Sequence, residues 1–92
     1  MDEVVERSES VPRRVLGIRI RRVKDEFLVG DEDRALLIED SAAFIFASLD
    51  GRTSTLQVAR LVAQEYGVDE EQALADVVEF LGGLADQGIV EW

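Results

Sequence analysis

Histidine and cysteine are both absent from this 92-residue chain. Their absence removes the commonest general base, the thiolate nucleophile and the usual soft metal ligands. It also excludes a disulfide-stapled secreted scaffold and a thiolate-ligated zinc site. Proline occurs once, too rarely for a proline-rich linker or tail. No apolar run approaches the roughly 18 residues that would span a bilayer. The first residues, Met-Asp-Glu-Val-Val-Glu, are acidic rather than the basic lead-in of a signal segment, so we read the chain as cytoplasmic and without a membrane partner. What is present is a composition 47% hydrophobic, enough for one modest core in a single small domain. Such a chain is better equipped to hold something than to transform it.

The formal charge of −10 is unevenly placed. Between Val11 and Lys24 stand six basic residues (Arg13, Arg14, Arg19, Arg21, Arg22, Lys24) and no acid. From Asp25 onward there are sixteen acids against three bases. The acidic stretch would be repelled by a nucleic-acid duplex, so nucleic acid is a poor candidate partner and one carrying positive charge a better one. The basic stretch could touch phosphate or could be a solvated face.

Residues 1–12 read as a polar, flexible segment and 13–92 as one domain. Leu16, Ile18 and Ile20 alternate with Gly17, Arg19 and Arg21, a period-two strand with one apolar and one largely basic face. Lys24-Asp25-Glu26 supplies a turn, Phe27-Leu28-Val29 a second strand, Gly30-Asp31-Glu32-Asp33 a stop, and Ala35-Leu36-Leu37-Ile38 a third strand. Short strands with tight connections imply an antiparallel meander. The period then lengthens. Asp40 or Ser41 is placed to cap a helix carrying Ala42, Ile45, Phe46 and Leu49, with Phe44 to the side and Asp50-Gly51 ending it. Ser54 with Gln57 reads as a capping box before Val58, Leu61, Val62 and Tyr66, closed by Gly67. Asp69 with Gln72 repeats that signal before the longest helix, whose apolar face is Ala73, Leu74, Val77, Phe80, Leu81 and Leu84, with Gly88 as its cap. Ile89, Val90 and Trp92 are too few to assign a strand. Gly82-Gly83 lies within the last helix, where each glycine costs about 0.5–1 kcal/mol against alanine. A frayed or kinked last turn and the close approach of another backbone both account for it.

The expected architecture is α+β: a three-stranded antiparallel sheet followed by three helices. A sheet edge is a row of unpaired amides and carbonyls, and Ala35-Leu36-Leu37-Ile38 has no lysine or proline to blunt it. At an edge it would accept a peptide as an added strand, or pair with a second copy in a homodimer. The acid pairs (Asp31/Asp33, Glu39/Asp40, Glu70/Glu71) sit at turns and helix starts, where carboxylates stabilise exposed amides. No calcium-loop pattern, activated serine or phosphate-binding glycine loop is present. No catalytic residue, metal ligand or cofactor site is therefore expected.

Ala35 to Ile38, then Ser41-Ala42-Ala43-Phe44-Ile45-Phe46, then Leu49-Asp50-Gly51-Arg52-Thr53, and finally Leu84-Ala85-Asp86-Gln87-Gly88-Ile89-Val90 together resemble the PqqD-like family. The resemblance covers roughly residues 15–90. It implies a winged helix-turn-helix-like domain that recognises the leader of a ribosomally made precursor peptide (a RiPP, as in lasso-peptide and other natural-product biosynthesis). Such a domain delivers the precursor, in a chaperone-like role, to a separate modifying enzyme or leader peptidase. Family members stand alone or are fused to such enzymes. By resemblance, the leader adds an antiparallel strand beside Arg34, Ala35, Leu36, Leu37 and Ile38. It lies against third-helix positions drawn from Ala73, Asp76, Val77, Phe80 and Leu84, with Asp76 and Glu79 placed to meet basic leader residues or simply to be solvated. Many relatives carry Leu-Asn before the first helix, where this chain has Ile38-Glu39-Asp40. The alternatives are a winged-helix DNA-binding regulator or a protein-only adaptor. A regulator would read DNA through the helix bearing Asp69, Glu70, Glu71, Asp76, Glu79 and Asp86, which has no lysine or arginine.

Overall fold

The structure, a computed structural model, describes residues 7–30 and 33–92. Among the described residues the elements given labels here run β1 (Arg13–Arg14), β2 (Arg19–Val23), β3 (Glu26–Gly30), β4 (Ala35–Ile38), α1 (Asp40–Ala47), α2 (Thr55–Tyr66), α3 (Glu70–Asp86) and β5 (Val90–Glu91). Strands β2, β3 and β4 form an antiparallel sheet in that order, so β3 is central and β2 and β4 are edges. The registers Arg21↔Leu28 and Leu28↔Leu37 define one row across it, and Ile20↔Val29 and Val29↔Leu36 the next. The architecture is the α+β, winged helix-turn-helix-like one expected.

Alternation sorts the sheet into two faces. Phe27, Val29 and Ile38 are buried at 5%, 1% and 2% exposure, with Ile20 and Leu36 packed against the same core. Leu28 and Leu37 point the other way and stay open to solvent. Helix α1 lays Ala43, Ile45 and Phe46 on the inner face, and the Phe27 and Phe46 rings meet edge to face at 5.0 Å. Val58, Ala59 and Val62 of α2 and Ala73, Val77, Leu81 and Leu84 of α3 complete the core. Leu61 and Tyr66, expected on the apolar stripe of α2, are 43% and 46% exposed, though the Tyr66 ring packs edge to face on Phe44 at 5.7 Å.

The helix ends differ in how they are capped. Ser54 and Gln57 form the full capping box: the Gln57 N–H donates to Ser54 Oγ at 3.2 Å and the Ser54 N–H to Gln57 Oε1 at 2.9 Å. Gly67 closes α2 with φ +66°. Asp69 caps α3 by accepting from the Glu71 N–H, but Gln72 does not reciprocate; its Nε2 donates to Asp76 Oδ1 at 2.9 Å, one turn along the helix. At α1 the cap position falls to Glu39, whose side chain makes no capping bond, so neither Asp40 nor Ser41 caps it. Asp40 instead takes φ +57°, a left-handed conformation that aspartate and asparagine tolerate better than other side chains. That tolerance suits either residue to a strand-to-helix corner. Helix α1 also ends earlier than expected, at Ser48; the Asp50 carboxylate then holds the following turn by accepting from the Arg52 and Thr53 N–H groups, both at 2.8 Å.

Two expectations are corrected at the sheet. Leu16 is not in a strand but in a turn, 96% exposed, and β2 runs instead through Arg21, Arg22 and Val23. The tail does form a strand: Val90–Glu91 pairs antiparallel with Arg13–Arg14, a contact of high sequence separation that no local pattern announces. Of the segment expected to be flexible, residues 1–6 lie outside the described residues. Further along, Ser10 accepts through its carbonyl from both the N–H and Oγ1 of Thr55, Pro12 is fully buried, and the Arg7 guanidinium lies 4.7 Å from the Trp92 ring centroid. The acidic turn after Gly30 falls partly outside the described residues, at Asp31 and Glu32. Helix α3 continues through Gly82-Gly83 to Asp86, and a Cβ at either glycine would meet nothing within 4 Å. Among the described residues, then, no other backbone packs against them.

Candidate functional site

Strand β4 is the candidate site, and its form follows from its sequence. Four apolar residues give an extended segment of which Ile38 is buried, Leu36 half-buried, and Ala35 and Leu37 exposed. Leu37 is 49% exposed on the outer face. On one side β4 is bonded to β3; among the described residues no strand pairs with the other. Alternate residues of an antiparallel edge strand direct their N–H and C=O groups away from the sheet, so this side presents main-chain donors and acceptors that no strand among the described residues takes up. Arg34 precedes the strand and is exposed. The other edge, β2, is Arg-Ile-Arg-Arg-Val and is blunted by charge.

Near the start of β4 the sheet is not fully covered. A cleft of about 710 Å³ opens between Asp33 to Leu36 and the residues just beyond α3, Gln87 to Ile89, with Ile18, Arg19 and Val29 behind. The closest packing of α3 is with α2 and β5, whereas β4 packs on β3 and α1. The free strand and the segment that follows α3 thus bound a common space without closing it.

The helix positions divide by burial. Ala73, Val77 and Leu84 are 0%, 0% and 2% exposed, so they hold up the core beneath the helix and present no surface. Phe80 is half-buried against that core. Asp76 is exposed and engaged by Gln72. Glu79 lies apart, on a second concavity with Gly82, Gly83 and Trp92. Sequence periodicity identifies the apolar face of α3, but cannot separate its fully buried residues from its half-buried ones.

Two charged features have no counterpart in the sequence reading. Arg14 reaches under the sheet: its guanidinium carbon is 4.3 Å from the Phe46 ring centroid and 5.6 Å from that of Phe27, and Nη2 donates to the Phe46 carbonyl at 2.7 Å. This cation near the end of α1 also complements the helix dipole. Its Nε is buried with no hydrogen-bond partner among the described residues, and burial lowers the guanidinium below its ordinary pKa. The second feature is at the far end of β4, where Glu39 continues the extended backbone (φ −137°, ψ 170°). Its carboxyl is raised above the ordinary value by a side-chain hydrogen bond with Glu26 and by the Glu26 charge, then by desolvation and the Asp40 charge. The β3–β4 register, one step beyond Phe27↔Ile38, accounts for their meeting. Among the described residues no group of histidine, cysteine, aspartate and glutamate is arranged to hold a metal ion. Among them, too, no helix is long and apolar enough to cross a membrane.

A three-stranded sheet with one unprotected edge, backed by a helical trio, defines a winged helix-turn-helix-like domain whose open feature is a strand. The chain belongs to the PqqD family: the family model for coenzyme PQQ synthesis protein D (PqqD) matches residues 26–90. It is 30% identical over 83 residues to the bifunctional coenzyme PQQ synthesis protein C/D of Methylorubrum extorquens, a match covering 88% of this chain and 22% of that protein. It therefore spans about a fifth of that longer relative. It is 31% identical over 77 residues to the PqqA binding protein of Xanthomonas euvesicatoria pv. vesicatoria, covering 82% of this chain and 84% of that one. Among solved structures, the PqqD truncation of Methylobacterium extorquens PqqCD, a functional and stand-alone RiPP recognition element, matches with a TM-score of 0.75 and 28% identity over 92% of this chain and 93% of that one. Lasso peptide synthetase B1, solved in complex with a leader peptide, matches with a TM-score of 0.77 over 90% of this chain and all of that one. At 21% identity that second likeness speaks to the fold alone.

Proposed function

We propose that this chain is a leader-peptide recognition domain. It binds the leader of a ribosomally synthesised precursor as an added antiparallel strand along Arg34 to Ile38, and presents the precursor to a separate modifying enzyme or leader peptidase. No bond is made or broken by this chain. The observation that carries the reading is the free edge of β4: apolar, unblunted, and bordered by an open cleft, in a chain that belongs to the PqqD family. Main-chain hydrogen bonds along the edge would supply affinity, and the alternating side chains of the leader would supply selectivity. On the inner face those side chains would meet Leu36 and the half-buried Phe80, with Asp76 at the rim. Ala73, Val77 and Leu84 would act indirectly, by setting the position of α3.

The same edge would admit a second copy of the chain, so a homodimer and the leader are competitors for one surface. A DNA-reading role is disfavoured by α3, whose charged residues are Glu70, Glu71, Asp76, Glu79 and Asp86, all acidic. A nitrogen–proton NMR titration with the leader of the short precursor encoded beside this gene tests the reading. Saturable shifts concentrated at Arg34 to Ile38 and around Phe80 are expected. A well-folded spectrum unmoved by millimolar leader would count against it.

A further inference from the structure

The outer row of β4 carries a selectivity element that the peptide reading, on which this inference rests, leaves unspecified. Ala35 and Leu37 are exposed on that face, and Glu39, exposed and extended, continues the alternation. The β3–β4 register, carried one step past Phe27↔Ile38, sets Glu39 beside Glu26, whose carboxyl raises the pKa of Glu39. The outer rows therefore read Arg21–Leu28–Leu37 and Val23–Glu26–Glu39, each ending at the free edge. A strand added there places its own side chains directly opposite Leu37 and Glu39, about 5 Å away, where cross-strand pairs interact most strongly. Opposite Leu37 an apolar or β-branched side chain extends the exposed Leu28–Leu37 pair. Opposite Glu39, its own carboxyl and those of Glu26 and Asp40 disfavour a fourth acid and favour a cation.

The geometry points to a leader with a lysine or arginine two residues before an apolar residue, read N-terminal to C-terminal, the basic side chain set against Glu39 and the apolar one against Leu37. The order follows from antiparallel addition, since the N-terminal side of the incoming strand lies at the C-terminal end of β4. Glu39 is thus a specificity-determining residue of the edge, and Leu37 sets the spacing.

Selection of phage-displayed random dodecapeptides on the purified full chain tests this whatever the sequence of the natural precursor. Enriched peptides should carry the basic–any–apolar spacing and shift the amides of residues 34–39. The Glu39→Lys variant, checked for an unchanged fold by its amide spectrum, should select an acid at the basic position. Individual lysine-to-glutamate exchanges in an enriched peptide should weaken binding to the natural chain about two- to five-fold. They should strengthen binding to E39K. Peptides that bind the edge with no charge preference, or whose preference survives Glu39→Lys, would overturn the assignment while leaving peptide recognition standing. If no peptide is enriched on the natural chain, both fail together.

Discussion

The two edges of one small sheet have been treated in opposite ways. Strand β2 spends three of its five residues on arginine, and β4 has no charge among its four. Both pair with the same central strand and both lay alternate residues on the same core. Their difference is therefore not a requirement of folding. Charged edges deter further pairing, and an uncharged one invites it. The contrast teaches that, on the proposed reading, this sheet would be extended on one side only.

The comparison breaks most completely if the strand between the edges is damaged. Phe27→Ala removes a ring that is 5% exposed, packed on Phe46 and flanked by Arg14 and Arg22. A loss of about 3–5 kcal/mol is expected in chemical denaturation, enough to threaten both edges at once. Leu37→Pro acts on β4 alone. Proline bends the strand and removes its amide, so leader affinity should fall at least about ten-fold by calorimetry while the helices keep their amide pattern. Unchanged affinity in that folded variant would remove β4 from the mechanism. The reverse exchange sharpens the contrast: Arg21→Val makes β2 resemble β4, and concentration-dependent association should appear in sedimentation where the natural chain shows less.

The smallest effects are those of pH. Because the folded-state pKa of Glu39 is raised, the Glu26–Glu39 contact destabilises the fold above that pKa and the penalty fades as pH falls through it toward the unfolded value of about 4.3. Glu39→Gln should therefore raise the melting temperature at pH 7 and leave it unchanged at pH 3. Asp50 has the opposite sign. Its pKa is lowered, first by the Arg52 amide and then by Thr53, so its stabilising contribution is present above the unfolded value of about 3.9 and lost as pH falls through the lower folded value. A thermal scan of Asp50→Asn against pH should converge on the natural chain only under strong acid.

Features with a short-range cause are legible in the sequence. The Ser54–Gln57 box, the left-handed Gly67 and the alternation of β3 and β4 each depend on neighbours a few residues away, and each is present as written. The pairing of β1 with β5 joins residues nearly eighty positions apart, and two-residue strands leave no periodic trace. Arg14 reads as one surface charge among six, because a guanidinium lying between Phe27 and Phe46 is a tertiary fact. The apolar β4 segment is legible as a candidate site from composition alone. The inward turn of Ala73, Val77 and Leu84 is not, since an apolar stripe marks a helix face without saying which of its residues are fully covered. Nor is the meeting of Glu26 with Glu39, which needs the strand register before the two carboxyls can be placed together.

The β1–β5 ribbon has a bearing on how such a domain travels between proteins. Where Arg13 faces Glu91, the incoming and outgoing backbones run side by side, about 5 Å apart, fastened by an ion pair at 3.0 Å. A polypeptide carrying this unit would enter and leave it at a single point. Host loops could be opened to receive it, or enzymes joined to either end, without prising the sheet or disturbing β4. In evolutionary terms the ribbon is a clasp, and it makes recognition of a peptide a detachable part.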